Sequence, residues 1–180
     1  YEYTLLDSGH FKKLEQVGPY RLIRPASQCP WKPKKNKVLW QSADAEFFRV
    51  KENESYWKFY NKQMPKEWPL SLSTQQLWIK LTDFGHIGIF PEHLCHEKHL
   101  ASIITKHKAT SPLKILNLFA HTGALSILMA KLGAHITHVD SSKSSLEWAK
   151  KNSTLSKTSS QHIRWILDDV QKFVKREERR

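Results

Sequence analysis

Apolar residues fall into two different patterns along this chain. Through residues 1–90 they come in short runs broken by Gly and Pro. Tyr20-Arg21-Leu22-Ile23-Arg24 before Pro25, Phe47-Phe48-Arg49-Val50 and Leu77-Trp78-Ile79-Lys80-Leu81 each predict a short strand. Between the first two lies Pro30-Trp31-Lys32-Pro33-Lys34-Lys35-Asn36-Lys37, a basic loop interrupted by proline. Residues 1–88 therefore read as a small antiparallel β-rich domain.

From Pro91 onward the spacing changes. Leu94, Leu100, Ile103 and Ile104 give an amphipathic helix from His93 to Lys108, ended by Thr110-Ser111-Pro112. Leu113–Phe119 is a buried strand, and Thr122–Leu132 a helix rich in Ala, Leu, Ile and Met that stops at Gly133. His135–Asp140 is a second strand, Ser142 caps a helix running to Leu155, His162–Leu167 is a third strand, and Val170–Arg180 a charged helix. That βαβαβα order predicts an α/β class domain over residues 89–180, with parallel strands and right-handed crossovers. It reads as a Rossmann-like arrangement with three strands.

In such sheets ligands sit at the carboxyl ends of the strands. Three features converge there. Asn117-Leu118-Phe119-Ala120-His121-Thr122-Gly123-Ala124 leaves one strand and opens a helix, where small residues and Gly123 permit close approach to the backbone. Asp140 ends the next strand, at the spacing of about 20 residues from which an acidic side chain meets ribose hydroxyls. Asp168-Asp169-Val170 ends the third, where a carboxylate can accept from an adenine amino group beside a backbone N–H. Taken singly each has a simpler reading: Asp140 as a helix cap, Gly123 as a packing residue, one of Asp168 and Asp169 as a cap or solvated. A pyrophosphate cofactor calls for G-x-G-x-x-G, which a loop with one glycine does not supply. S-adenosylmethionine carries adenosine, ammonium, carboxylate and sulfonium but no phosphate, and suits this loop better.

Charge adds a partner. Lys and Arg number 29 against 17 Asp and Glu, a net +12, which favours a polyanion such as RNA. Aromatics beside Lys and Arg in the first half could stack on unpaired bases, with core packing the simpler role for most of the tryptophans. Two distant cysteines, Cys29 and Cys95, form no disulfide framework and suggest a reducing, cytoplasmic setting. No apolar run of about 18 residues offers a membrane span, and no signal peptide is expected. His93, Cys95, His96, His99 and His107 share a segment, but His96-Glu97-Lys98-His99 misses the H-E-x-x-H spacing, so no metal site is expected.

The stretches Asn117–Ala130, His138-Val139-Asp140-Ser141-Ser142-Lys143, Trp148-Ala149-Lys150-Lys151-Asn152 and Asp168-Asp169-Val170 resemble class I S-adenosylmethionine-dependent methyltransferases. The likeness is strongest to the bacterial 23S rRNA large-subunit cytosine-C5 methyltransferase-like family. Gly18–Pro25 and Phe84–Glu92 resemble one branch of it, so the likeness covers nearly the whole chain. It implies a methyl-transferring enzyme acting on rRNA, with Phe119, Ala120, His121, Thr122 and Gly123 at the methionine end. It also implies Asp140 with neighbouring Ser141 at the ribose, and Asp169 with the Val170 N–H at the adenine, Asp168 being second choice. Phe90 and Pro91 would pass beside the cofactor, and Asn117 opens the motif. His121 replaces the usual Tyr, and Ala124 a second Gly. The family's Asp-Pro-Pro catalytic motif does not occur, so catalytic residues are unknown and the chain is expected to be a cofactor-binding fragment with an open sheet edge prone to self-association. The competing expectation is a basic RNA-binding module, derived from a methyltransferase, that no longer catalyses.

Overall fold

The computed structural model describes residues 2–51, 54–107 and 111–179. It divides into two compact units, residues 1–73 with 79–88, and residues 74–78 with 89–180.

The first unit is built on a five-stranded sheet in the order β1 (Tyr3–Gly9), β2 (Lys12–Val17), β3 (Tyr20–Pro25), β4 (Ala45–Lys51), β5 (Glu54–Phe59). Neighbours are antiparallel except β3 and β4, which run parallel. The expectation of an antiparallel sheet is corrected here. A parallel neighbour needs a long crossover, and residues 26–44 provide it, including α1 (Lys37–Gln41), whose first turn is capped by the Asn36 side chain accepting from Leu39 N–H at 3.0 Å. One face of this sheet buries Leu14 and Ile23 under α1, with Leu6, Leu39, Trp40 and Ala43. The other buries a charged pair: Glu15 accepts from Arg24 Nε at 2.6 Å and Nη2 at 2.8 Å. The strand β6 (Glu67–Leu72) also lies in this unit, and Trp68 Nε1 donates to Val17 O at 3.2 Å. The strand β7 (Gln75–Lys80) is divided between the units.

In the second unit a 3-10 turn (Pro91–His96) leads into α2 (Glu97–His107), so the single helix expected from His93 begins in a tighter coil; its expected end at Lys108 and Thr110 lies outside the described residues. Then come β8 (Lys114–Leu118), α3 (Ala124–Lys131), β9 (His135–Asp140), α4 (Lys143–Leu155), β10 (Ile163–Leu167) and α5 (Val170–Glu177). The expected end of that last helix, Arg180, also lies outside the described residues. The three strands are parallel in the order β10, β9, β8. Register pairs Leu118 with Val139 and Leu167 with Asp140, so the three carboxyl ends are adjacent. The helix α5 covers one face through Val139, Val170 and Phe173, while α3 and α4 lie on the face that carries His138. This is the α/β half-sheet that the alternating pattern predicts.

Candidate cofactor site

The loop between β8 and α3 is unusual in its backbone. Phe119, His121 and Gly123 take positive φ values of 53, 50 and 83°, so the helix expected at Thr122 starts two residues later. Left-handed conformations at a bulky aromatic are uncommon and are held only where surroundings over-determine them. Here the surroundings are hydrogen bonds: Ala120 N–H donates to Val139 O at 3.1 Å, His121 N–H to Asp140 Oδ2 at 2.7 Å, and Gly123 N–H to Ala120 O at 3.0 Å.

Asp140 is the hub. Its second oxygen, Oδ1, accepts from Ser142 N–H at 2.8 Å. Each carboxylate oxygen thus holds one backbone donor and keeps a lone pair for a further hydroxyl, and the residue is half-buried, so the strand end presents that capacity outward. Ser141 beside it is exposed.

The third strand end is arranged differently from a pair of waiting carboxylates. Asp169 caps α5, accepting from Lys172 N–H at 2.9 Å. Asp168 pairs with Arg176 at 2.8 Å, and its own N–H donates to Asp140 O at 3.1 Å. The Val170 side chain is buried against Phe173, and its N–H belongs to the first turn of α5, where a helix leaves amides without an internal acceptor.

The remaining predicted residues sort by depth. Phe119 is 73% exposed at the mouth. Phe90, just before the Pro91 turn, has its ring 5.1 Å from that of His121 and 5.5 Å from that of His93. Ala120, Thr122 and Gly123 are buried. Asn117 points away from the mouth, donating to Ser126 Oγ at 2.9 Å beneath the loop. A Cβ built on Gly123 would stand 3.0 Å from the Ala149 Cβ, so the glycine is required by its φ and by close approach of α4.

Residues given no role at the site from the sequence hold this loop from behind. Asn152, fully buried on α4, donates through Nδ2 to Thr122 O at 2.9 Å and accepts through Oδ1 from Trp78 N–H at 2.8 Å. Trp148 Nε1 donates to Trp78 O at 3.0 Å, and Ser156 Oγ bonds both backbone groups of Gln76. Ser126 Oγ lies 3.0 Å from His138 Nδ1. Among the described residues no group of three His, Cys, Asp or Glu side chains is placed to hold a metal.

The donor set discriminates between ligands. A pyrophosphate cradle needs loop amides that point at the ligand, yet those of Ala120, His121 and Gly123 already bond protein oxygens. An anchored carboxylate, an aromatic rim and satisfied loop amides fit a nucleoside ligand that lacks phosphate.

No protein-family model matches the chain. It is 41% identical over 86 residues to the ribosomal RNA large subunit methyltransferase K/L of Alteromonas mediterranea, a match covering 47% of this chain and 11% of that protein. The protein of the same name from Hahella chejuensis is 36% identical over 103 residues, covering 57% of this chain and 13% of the relative. A solved S-adenosylmethionine-dependent methyltransferase from Agrobacterium tumefaciens is 41% identical with a TM-score of 0.92, over 99% of this chain and 56% of that one. The chain thus spans little more than half of that structure and a smaller share of the curated relatives. Likeness of sequence and of fold together give this chain, a β-rich unit and three parallel strands, the fold of part of that S-adenosylmethionine-dependent methyltransferase.

Proposed function

We propose that this chain binds S-adenosylmethionine across the ends of β8, β9 and β10 and forms part of an RNA methyltransferase that acts on ribosomal RNA. The observation that carries the reading is Asp140, fixed by His121 and Ser142 N–H groups and still able to accept from a ribose diol. Asp169 and the Val170 N–H would face the adenine edge, and Phe90, Phe119 and His121 would flank the methionine portion. When bound, the cofactor supplies an electrophilic methyl group on sulfur. The chain's own contribution is orientation: the loop sets where the donor lies, and satisfied amides leave little to reorganise on binding. Relatives named for ribosomal RNA methylation and the +12 net charge support the RNA substrate. Residues 1–88 and 89–180 would serve as separate domains, and a second copy of the chain is a further expected partner. Among the described residues no helix is long and apolar enough to cross a membrane, and a cytoplasmic location is proposed from the two distant cysteines.

Calorimetric titration with S-adenosylhomocysteine tests the proposal. The parent chain should bind, and Asp140→Ala should weaken binding roughly 10- to 100-fold, the range for loss of charge-assisted hydrogen bonds. Equal affinity in parent and variant, or tighter binding of a dinucleotide, would defeat it.

A further inference from the structure

The tryptophans of the first unit are largely packed or tied to backbone carbonyls, as Trp57 is to Thr82 O at 2.8 Å and Trp68 to Val17 O. Other aromatics face outward instead. Antiparallel register sets Phe48 opposite Tyr56 and Glu46 opposite Lys58, so alternation brings Glu46, Phe48, Tyr56 and Lys58 to one face, with Tyr60 following. The Phe48 and Tyr56 rings stack with centroids 5.4 Å apart and planes 17° from parallel. Tyr56 is 50% and Tyr60 45% exposed, with Val50 at 54% beside them. Two ammonium groups lie on these rings: Lys12 Nζ is 5.3 Å from the Phe48 centroid, and Lys58 Nζ 5.1 Å from that of Tyr60.

We infer that this face of the β4–β5 hairpin is a stacking platform for unpaired RNA bases. It rests on the RNA-directed part of the function proposed above and adds a place where that RNA is held. Each base has a π-face that an exposed ring can cover, and Lys58 beside Tyr60 meets the backbone phosphates. A duplex hides its base faces, so the platform selects single strands. The acid embedded here does not oppose the phosphates: Glu46 is buried, paired with Lys12 at 2.6 Å and accepting from Tyr60 Oη at 2.7 Å. Glu54, two residues before Tyr56 on the same face, stands opposite Lys51 in the register. Burial and the Glu46 carboxylate push the Tyr60 phenol up to about 12, so it stays a neutral ring. The net +12 charge draws a polyanion in from solution.

Fluorescence anisotropy of a labelled oligouridine with the 180-residue chain tests this. The expected result is salt-dependent binding, weaker binding of a blunt RNA duplex, and a loss of roughly 10- to 100-fold in oligouridine affinity in the Tyr56→Ala/Tyr60→Ala double variant. Tyr56→Phe, which keeps the ring, should bind as the parent does. An alanine variant with unchanged near-ultraviolet circular dichroism and parental affinity would overturn the inference, as would equal affinity for duplex and single strand. Should the double variant unfold, photocrosslinking of a 4-thiouridine oligomer to the parent decides: adducts at Phe48, Tyr56 or Tyr60 support the platform, and adducts confined elsewhere overturn it. A parent chain that binds S-adenosylhomocysteine but no oligouridine would sink the platform and leave the cofactor site standing, and the converse pattern would do the reverse.

Discussion

His138 shows how a buried side chain behind the loop sets a measurable pH response. It is wholly enclosed in β9, its Nδ1 engaged by Ser126 and its Nε2 without a hydrogen-bond partner among the described residues. Burial, with a smaller push from His121 and partial opposition from Asp140, drives its pKa down to about 4. The unfolded chain, titrating near the ordinary histidine value of about 6.5, takes up the proton first. Stability from this residue is therefore complete above about pH 6.5 and is lost as pH falls toward about 4, by about 3 kcal/mol in all. Denaturant midpoints measured between those limits should fall steadily, and His138→Gln should flatten the slope; an unchanged slope would refute the assignment. Glu15 lies in a lower window. Burial would raise its pKa, but the Arg24 hydrogen bonds and charge, with Lys13 and Tyr3, bring it below the ordinary carboxylate value, so its contribution is lost only as pH falls below about 4. Arg24→Ala strands that buried carboxylate and should cost about 3–5 kcal/mol by chemical denaturation. Asp140 was legible in sequence because strand ends are positions that alternation locates. His138 and Asn152 were not, since their partners lie 12 and 30 residues away and only packing brings them together.

Elements of the second unit could be read because short β-prone runs alternate with longer helical segments, so boundaries shifted by only a few residues. The left-handed Phe119, His121 and Gly123 account for the two-residue delay of α3, since backbone turned that way cannot begin a helix. In the first unit β1, β2, β5 and β6 escaped notice. The strand β2 reads Lys-Lys-Leu-Glu-Gln-Val, and its buried Glu15 breaks the alternation that would have marked it. A carboxylate is tolerable inside only because Arg24 meets it from β3, a pairing invisible along one strand. Two substitutions test how elements hold the loop. Gly123→Ala should destabilise by about 1–3 kcal/mol, because the new methyl must push α4 away and sit at positive φ. Asn152→Ala removes the hydrogen bonds to the Thr122 carbonyl and the Trp78 amide and should cost about 1–3 kcal/mol in a urea melt while weakening S-adenosylhomocysteine binding. Weakened stability with unchanged ligand affinity would show that Asn152 supports the fold alone.

At the scale of the molecule, charge and an open edge set behaviour in solution. The strand β8 pairs with β9 alone among the described residues, and Leu116 on it is 47% exposed. Edges of this kind invite pairing between copies, so sedimentation velocity should show concentration-dependent association that Leu116→Lys suppresses; a parent that stays monomeric at every concentration would contradict this. Composition had already pointed to a basic, RNA-directed protein, but which face carries the aromatic contacts needed the register of β4 against β5, because neither tyrosine differs in sequence from a core residue. The doubly fastened carboxylate of Asp140 has a kinetic corollary. A mouth whose main acceptor is aimed before anything arrives does not wait on rearrangement, so adenosyl ligands should reach it at similar speeds and differ in how long they stay. Stopped-flow traces across a series of such ligands would then spread in their dissociation rates while their association rates stay together.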